Sequence, residues 1–324
     1  MASDVAHYIQ QGAALHLEGD REGARQAYLT ALELEPENST ARNNLGFLLA
    51  EQGRLSEALA QYEEAIRLNP SSTVALTNRG NARAALGEVE SGLADLRQAA
   101  VLDESNVLAR QCLGRLLVQT GEYEAAEAAF RECLDLQPEE GDHWRGLATA
   151  LSGRQQWSDA LTAVRQAVQL DPDSADSWTL MGALLFARRD LGSAGEALRR
   201  ALSLAPEHLE ARHHLAMVHL ATGQEAQAAR ELERVLLLAP GQPQASMDLA
   251  VLALAADDPG RCSTLLAPVL AAEPDNPRAR FYQGVALHRS GQEQAGLELL
   301  RGLADEVAGE YPTRARAYLR QVNP

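Results

Sequence analysis

The sequence predicts an all-α protein built as a solenoid of antiparallel helix pairs, and three observations lead there. A pattern of small and large apolar residues returns every 34 residues along most of the chain. Alanine and leucine dominate, aromatic residues make up only 4% of the 324 positions, and no alternating run reads as a strand. Proline recurs near the end of the period, where it stops a helix because it lacks the N–H that would continue one. A repeat array adds core along one axis, so this length does not demand two globular domains. A single array over residues 1–324 is expected.

With Val5 as position 1, units begin at Val5, Ser39, Thr73, Val107, Gly141, Ala175, Leu209, Pro243 and Pro277, with no insertion between them. The eighth position carries Gly12, Gly46, Gly80, Gly114, Ala148, Gly182, Ala216, Ala250 and Gly284. The twentieth carries Ala24, Ala58, Gly92, Ala126, Ala160, Ala194, Ala228, Cys262 and Gly296. Small residues at both places let the two helices of a unit approach closely. Larger side chains such as Leu45, Leu49, Tyr62, Leu113, Leu117 and Phe130 fill the space between units.

Seven units end with proline: Pro36, Pro70, Pro138, Pro172, Pro206, Pro240 and Pro274. Asn38, Ser72, Ser174 and Asn276 follow as N-caps for the next first helix. Unit three departs from the pattern, with Arg79 and Arg83 where apolar residues are usual and Glu104 in place of proline. Pro268 falls inside a second helix, so a kink or an early end is expected near Leu265–Pro268. The ninth unit spans residues 277–308. Beyond it, residues 312–321 read as a capping helix over the last apolar face, with Pro312 in its first turn. Tyr318 and Leu319 are expected to point inward there, and Arg314, Arg316 and Arg320 into solvent.

This spacing, with tryptophan at the fourth position of units five and six (Trp144, Trp178), resembles the tetratricopeptide repeat (TPR) family over residues 5–308. The resemblance implies a right-handed superhelix whose first helices line a concave groove. It places the second, fifth, sixth, ninth, twelfth and thirteenth positions of each unit in that groove. From unit two to unit four these are Asn43, Asn44, Thr77, Asn78, Asn81, Gln111 and Arg115. Amides donate and accept hydrogen bonds, so they suit the backbone of an extended peptide. From unit six to unit nine the groove turns apolar, with Phe186, Met217, Leu220, Met247, Val251, Leu254, Phe281, Tyr282 and Val285. Methionine and aromatic residues together suit an adaptable apolar ligand or helix. The basic-and-asparagine clamp of chaperone-tail TPR adaptors is missing: in the first set of three units its places hold Ile9, Ala13, Asn44, Val74 and Asn78.

A non-enzymatic protein-binding adaptor is therefore expected, with a self-assembling scaffold or the substrate-recruiting subunit of an enzyme complex as alternatives. The formal charge of −16 argues against nucleic acid and anionic membranes, whose binding needs a clustered basic face. Every basic residue is arginine, which fits a GC-rich, bacterial source. The N-terminal residues MASDVAHYIQQ show no basic segment followed by an apolar run, and no window is apolar enough to span a bilayer. With three scattered cysteines (Cys112, Cys133, Cys262), a cytoplasmic location is expected. Cys133 and Cys262 read as buried packing residues and Cys112 as groove-facing. His208, His213, His214 and His219 cluster in sequence but lack the spacing of a metal set, so neither metal nor cofactor is expected. The acids around Glu63-Glu64 and Glu122–Glu127 are expected on a solvated outer face.

Overall fold

The computed structural model describes residues 2–306 and 309–322. Among them the regular structure is entirely helical, nine consecutive pairs of α-helices followed by a nineteenth, and the chain groups into two compact units, Met1–Pro172 and Asp173–Pro324. The first unit contains α1 (Ala2–Leu17), α2 (Arg21–Leu34), α3 (Ser39–Glu51), α4 (Leu55–Leu68), α5 (Thr73–Ala85), α6 (Val89–Leu102), α7 (Val107–Thr120), α8 (Tyr123–Leu136), α9 (Gly141–Gly153) and α10 (Trp157–Leu170). The second contains α11 (Ala175–Ala187), α12 (Leu191–Leu204), α13 (Leu209–Ala221), α14 (Glu225–Leu238), α15 (Pro243–Ala255), α16 (Pro259–Ala272), α17 (Pro277–Arg289), α18 (Glu293–Ala304) and α19 (Glu310–Val322).

Within a pair, the helices meet where the sequence is smallest. A Cβ built on Gly46 of α3 would lie 2.7 Å from the Tyr62 ring and 3.2 Å from the Ala58 carbonyl of α4. One on Gly182 of α11 would lie 2.6 Å from Leu198 of α12. Where the opposing side chain is an aromatic ring (Tyr28, Tyr62, Phe130), the eighth position is glycine (Gly12, Gly46, Gly114), and glycine also faces leucine at Gly80–Leu96, Gly182–Leu198 and Gly284–Leu300. Where it is Val164, Leu232 or Leu266, alanine fits (Ala148, Ala216, Ala250), and all of these side chains are buried. Shape, not composition alone, fixes the distance between the rods.

Local signals terminate each helix. Asn38, Ser72, Asn106, Ser174 and Asn276 accept a hydrogen bond from the backbone N–H three residues on, which satisfies an orphan donor of the first turn. Side chains at the fourth position serve the other end. Arg42, Trp144 and Arg212 donate to the carbonyls of Pro36, Pro138 and Pro206, just past the ends of α2, α8 and α12. The turn inside a pair needs a left-handed residue, supplied by glycine at Gly53 and its equivalents but by Gln155, Arg189 and Asp257 in three pairs, at φ 60°, 65° and 59°.

Two expectations are corrected. The early helix end expected near Leu265–Pro268 does not occur, because α16 runs from Pro259 to Ala272. Pro268 and Thr264 are both exposed, so the Thr264 carbonyl freed by the missing N–H faces water, while buried Cys262, Leu266 and Val269 hold the inner stripe. In α19, Pro312 and Ala315 are buried and Tyr318 and Leu319 pack against the core of the last pairs. Arg316, however, is half-buried. It donates to the Ala304 carbonyl at 3.1 Å and so closes the C-terminus of α18.

The tight Gly46–Tyr62 contact yields a stability prediction. Gly46→Ala forces Cβ into the ring and should lower the unfolding free energy by about 1–3 kcal/mol despite alanine's better helix propensity. Adding Tyr62→Ala, which removes the ring, should make the Gly46→Ala step far less costly in a double-mutant cycle followed by denaturant melts. At the turn, Gln155→Gly should raise stability by about 0.5–1 kcal/mol, because relief of left-handed strain exceeds the entropy glycine loses.

Candidate functional site

First helices adjoin one another within each unit: α1 with α3, α3 with α5, α5 with α7 and α7 with α9, and in the second unit α11 with α13, α15 with α17 and α17 with α19. Equivalent positions on successive first helices therefore form rows about 10 Å apart. Which positions remain open is set by how closely the next helix covers them.

In the first unit, the fifth position is buried on α3 and α5 and half-buried on α1, α7 and α9. Thr77 is 1% exposed and donates its hydroxyl to the Thr73 carbonyl at 2.7 Å. Asn43 is also buried; its Oδ1 accepts from Asn78 Nδ2 at 3.0 Å, and its Nδ2 donates to Asn44 Oδ1 at 3.3 Å. Three of the expected amides are thus joined into one chain across α3 and α5. Asn44, Asn78 and Gln111 are half-buried, and Asn81 and Arg115 are exposed. Asn81, Cys112 and Arg115 border a cleft of about 310 Å³ between α5 and α7.

Sequence reasoning missed the apolar residues on this face. Phe47 at the ninth position is 43% exposed, and Val74 and Leu108 at the second are 56% and 58% exposed. Their positions in the repeat were the available signal, but the search there was for hydrogen-bonding amides.

In the second unit, the expected apolar strip divides. Met247, Leu254, Phe281 and Val285 lie inside the core cluster of the last pairs, where successive helices cover them. Phe186, Met217, Leu220, Val251 and Tyr282 stay half-buried. Tyr282 packs on Phe281 and Tyr311 and accepts from Arg314 Nη1 at 3.2 Å, so α19 covers that end.

Buried carboxylates were also missed. Asp95 is buried and bound by Arg79 at 2.8 and 2.7 Å and by Arg83 at 2.9 Å, which explains the two arginines at apolar places in unit three. Glu127, expected in solvent, is buried between Arg131 and Arg154. Asp248 on α15 accepts from His213 of α13 at 2.8 Å and from Arg278 of α17 at 2.5 Å. It ties three first helices together and removes His213 from the free groove lining. Burial by itself would push the Asp248 carboxyl up, but the hydrogen bonds from His213 and Arg278 and their charges outweigh it and hold it below the usual range.

Cys133 and Cys262 are buried, and burial pushes both thiols up to about 11. Cys112 is half-exposed. Among the described residues no group of three or more His, Cys, Asp or Glu is placed to hold a metal, and no helix is long and apolar enough to cross a membrane.

Two family profiles, both described as tetratricopeptide repeat, match the sequence. One covers residues 18–73, 48–107, 77–141 and 263–312, the other 117–184, 185–252 and 223–281. The chain belongs to the tetratricopeptide repeat family, whose repeats serve protein–protein interaction and whose members are generally non-catalytic adaptors. No curated protein matches. Among solved structures, a tetratricopeptide repeat protein from Parabacteroides merdae ATCC 43184 is 20% identical, with a TM-score of 0.64 over 77% of this chain and 99% of that one. The APC/C hetero-tetramer Cut9-Hcn1 is 16% identical, with a TM-score of 0.66 over 82% of this chain and 52% of that one. The human IFIT1 dimer with m7Gppp-AAAA is 15% identical, with a TM-score of 0.63 over 98% of this chain and 80% of that one. At these identities the likeness is one of fold.

The Asp248 linkage gives a pH prediction. A carboxylate whose folded pKa lies below its unfolded value of about 3.9 adds stability above that pH and loses it as pH falls through the folded pKa. Stability should therefore fall below about pH 4, and Asp248→Asn should flatten that part of the acid limb. At neutral pH the same substitution should cost about 2–4 kcal/mol, because it leaves two half-buried bases with only a neutral acceptor. Acid and urea titrations of the two proteins measure both effects.

Proposed function

We propose that this chain is a non-catalytic adaptor that takes a segment of another protein across the first-helix face of its N-terminal unit. The observation that carries this reading is the pattern of exposure on α3, α5 and α7. The ninth position opens Phe47, Asn81 and Arg115, and the second opens Val74 and Leu108. Apolar anchors beside hydrogen-bonding side chains are what a partner segment needs for affinity and for register. The charge of the unit supports the same face. Its acids lie chiefly on second helices and loops, as at Glu57, Glu63, Glu90, Glu124 and Glu132, so the first-helix face is apolar and amide-rich by comparison.

An extended segment advances about 3.3 Å per residue, so it meets a new first helix roughly every third residue. The amide chain of Asn44, Asn43 and Asn78 keeps unused donors and acceptors for the backbone of such a segment. In the second unit, Phe186, Met217 and Val251 form a separate apolar strip that suits a helix or an apolar peptide.

Crosslinking capture from extract of the source cells tests this reading. Phe47→Ser/Leu108→Ser should lose at least about 80% of the captured partner, since interface anchors carry most of the binding energy, while circular dichroism and melting stay unchanged. Full retention by this double variant, together with Met217→Ser/Val251→Ser, would falsify the assignment to the first-helix faces.

A further inference from the structure

We propose that the cleft between α5 and α7 receives the side-chain carboxylate of an acidic residue in the partner segment. The proposal rests on the first-helix face being the docking surface and goes further by naming the chemistry at one point of it.

The argument begins with Arg115. The other arginines on the first helices α3 to α17 are engaged. Arg42 bonds to Gln61 and to the Pro36 carbonyl. Arg79 and Arg83 hold Asp95. Arg110 pairs with Glu132, Arg145 with Asp142, Arg212 with Glu231, Arg278 with Asp248 and Arg280 with Glu306. Arg289 donates to the Leu254 carbonyl. Among the described residues Arg115 alone of this set has no hydrogen bond or ion pair. In a chain of net charge −16, where acids outnumber bases, such a cation is unexpected on a face that also exposes apolar residues.

Its surroundings favour an anion. The cleft of about 310 Å³ has Asn81, Cys112 and Gln119 as its other polar lining, with Leu116 and Ala84 beside them. No carboxylate lines it. Asn81 Nδ2 lies 3.3 Å from Cys112 Sγ, and both side-chain amides and the thiol can turn a donor inward. A guanidinium with neutral donors around it matches a planar carboxylate, which it can hold through two parallel N–H bonds. The acids that give the unit its negative charge stand mainly on second helices. Their repulsion is screened beyond about 8 Å at physiological ionic strength, so the local cation decides what enters the cleft.

Register follows from the rows. Phe47 and Arg115 share the ninth position two first helices apart, about 20 Å, or roughly six residues of extended chain. The recognised segment thus carries an apolar residue and an Asp or Glu about six positions apart.

The chain supplies its own reporter. Cys112 borders the cleft and is half-exposed, whereas Cys133 and Cys262 are buried and their thiols stay protonated near neutral pH. The experiment measures Cys112 alkylation by iodoacetamide on the full chain with N-acetylated, C-amidated decapeptides present at up to millimolar concentration. Each contains one Leu and one Glu six residues apart in a Gly/Ser background, made in both chain orders, with a Glu→Gln counterpart. Affinities are measured in parallel by titration calorimetry. The Glu peptide in the favoured order should protect Cys112 and bind roughly tenfold or more tightly than its Gln counterpart. Arg115→Gln should erase that difference, Arg115→Lys should retain part of it, and raising the salt should weaken the Glu peptide selectively. Equal protection by Glu and Gln peptides would overturn the carboxylate site and leave the docking face standing. No protection by any peptide, with unchanged alkylation, would overturn both. Arg115 is exposed and unpaired, so its substitution leaves the fold intact and the comparison remains readable.

Discussion

The structure depends on one steric constraint, the close approach of two antiparallel helices at a point where neither has a large side chain. Gly46 against Tyr62 and Ala58 shows how little room is left. That contact sets the spacing within a pair, and the spacing sets the angle at which the next pair can stack. With the rods this close, buried side chains such as Leu48, Leu76 and Leu96 are enclosed completely, and dispersion contacts accumulate along the axis. Glycine stands at this point in six of the nine pairs, facing a ring in three and a leucine in three, even though it weakens a helix on its own.

A second layer of interactions is electrostatic and links helices both within pairs and between them. Asp95, Glu127 and Asp248 are each buried and each bound by two basic groups. A buried carboxylate with one partner would pay heavily in desolvation, and two charge-assisted donors offset that cost. These clusters restrict which faces can meet. Asp248 is the clearest case, because its two partners come from the first helices on either side. The result is an ordered face in each unit on which equivalent positions stand in rows.

Function follows from what those rows leave uncovered. The face of α3, α5 and α7 offers Phe47, Val74 and Leu108 for apolar contact, a chain of amides for hydrogen bonding and Arg115 for charge. In the proposed adaptor role, such a surface binds through shape, backbone contacts and a few anchors. The second unit is different in kind: there Met247, Leu254, Phe281 and Val285 of the first helices are enclosed in the core of the last pairs.

The sequence by itself determined the repeat, the helix pairing and the caps. Each depends on contacts within about one period: a small residue opposite a ring, an asparagine before a first turn, a proline after a last one. Only the tertiary structure decided which groove positions are open. Thr77, Asn43, Met247 and Phe281 share the fifth position, and all four are buried because the neighbouring first helix lies over them. Likewise, Arg79 and Arg83 look misplaced until Asp95 is found facing them from α6. A periodic pattern gives the direction in which a side chain leaves its own helix. Whether that direction ends in water or in another rod depends on a packing angle that no single repeat encodes.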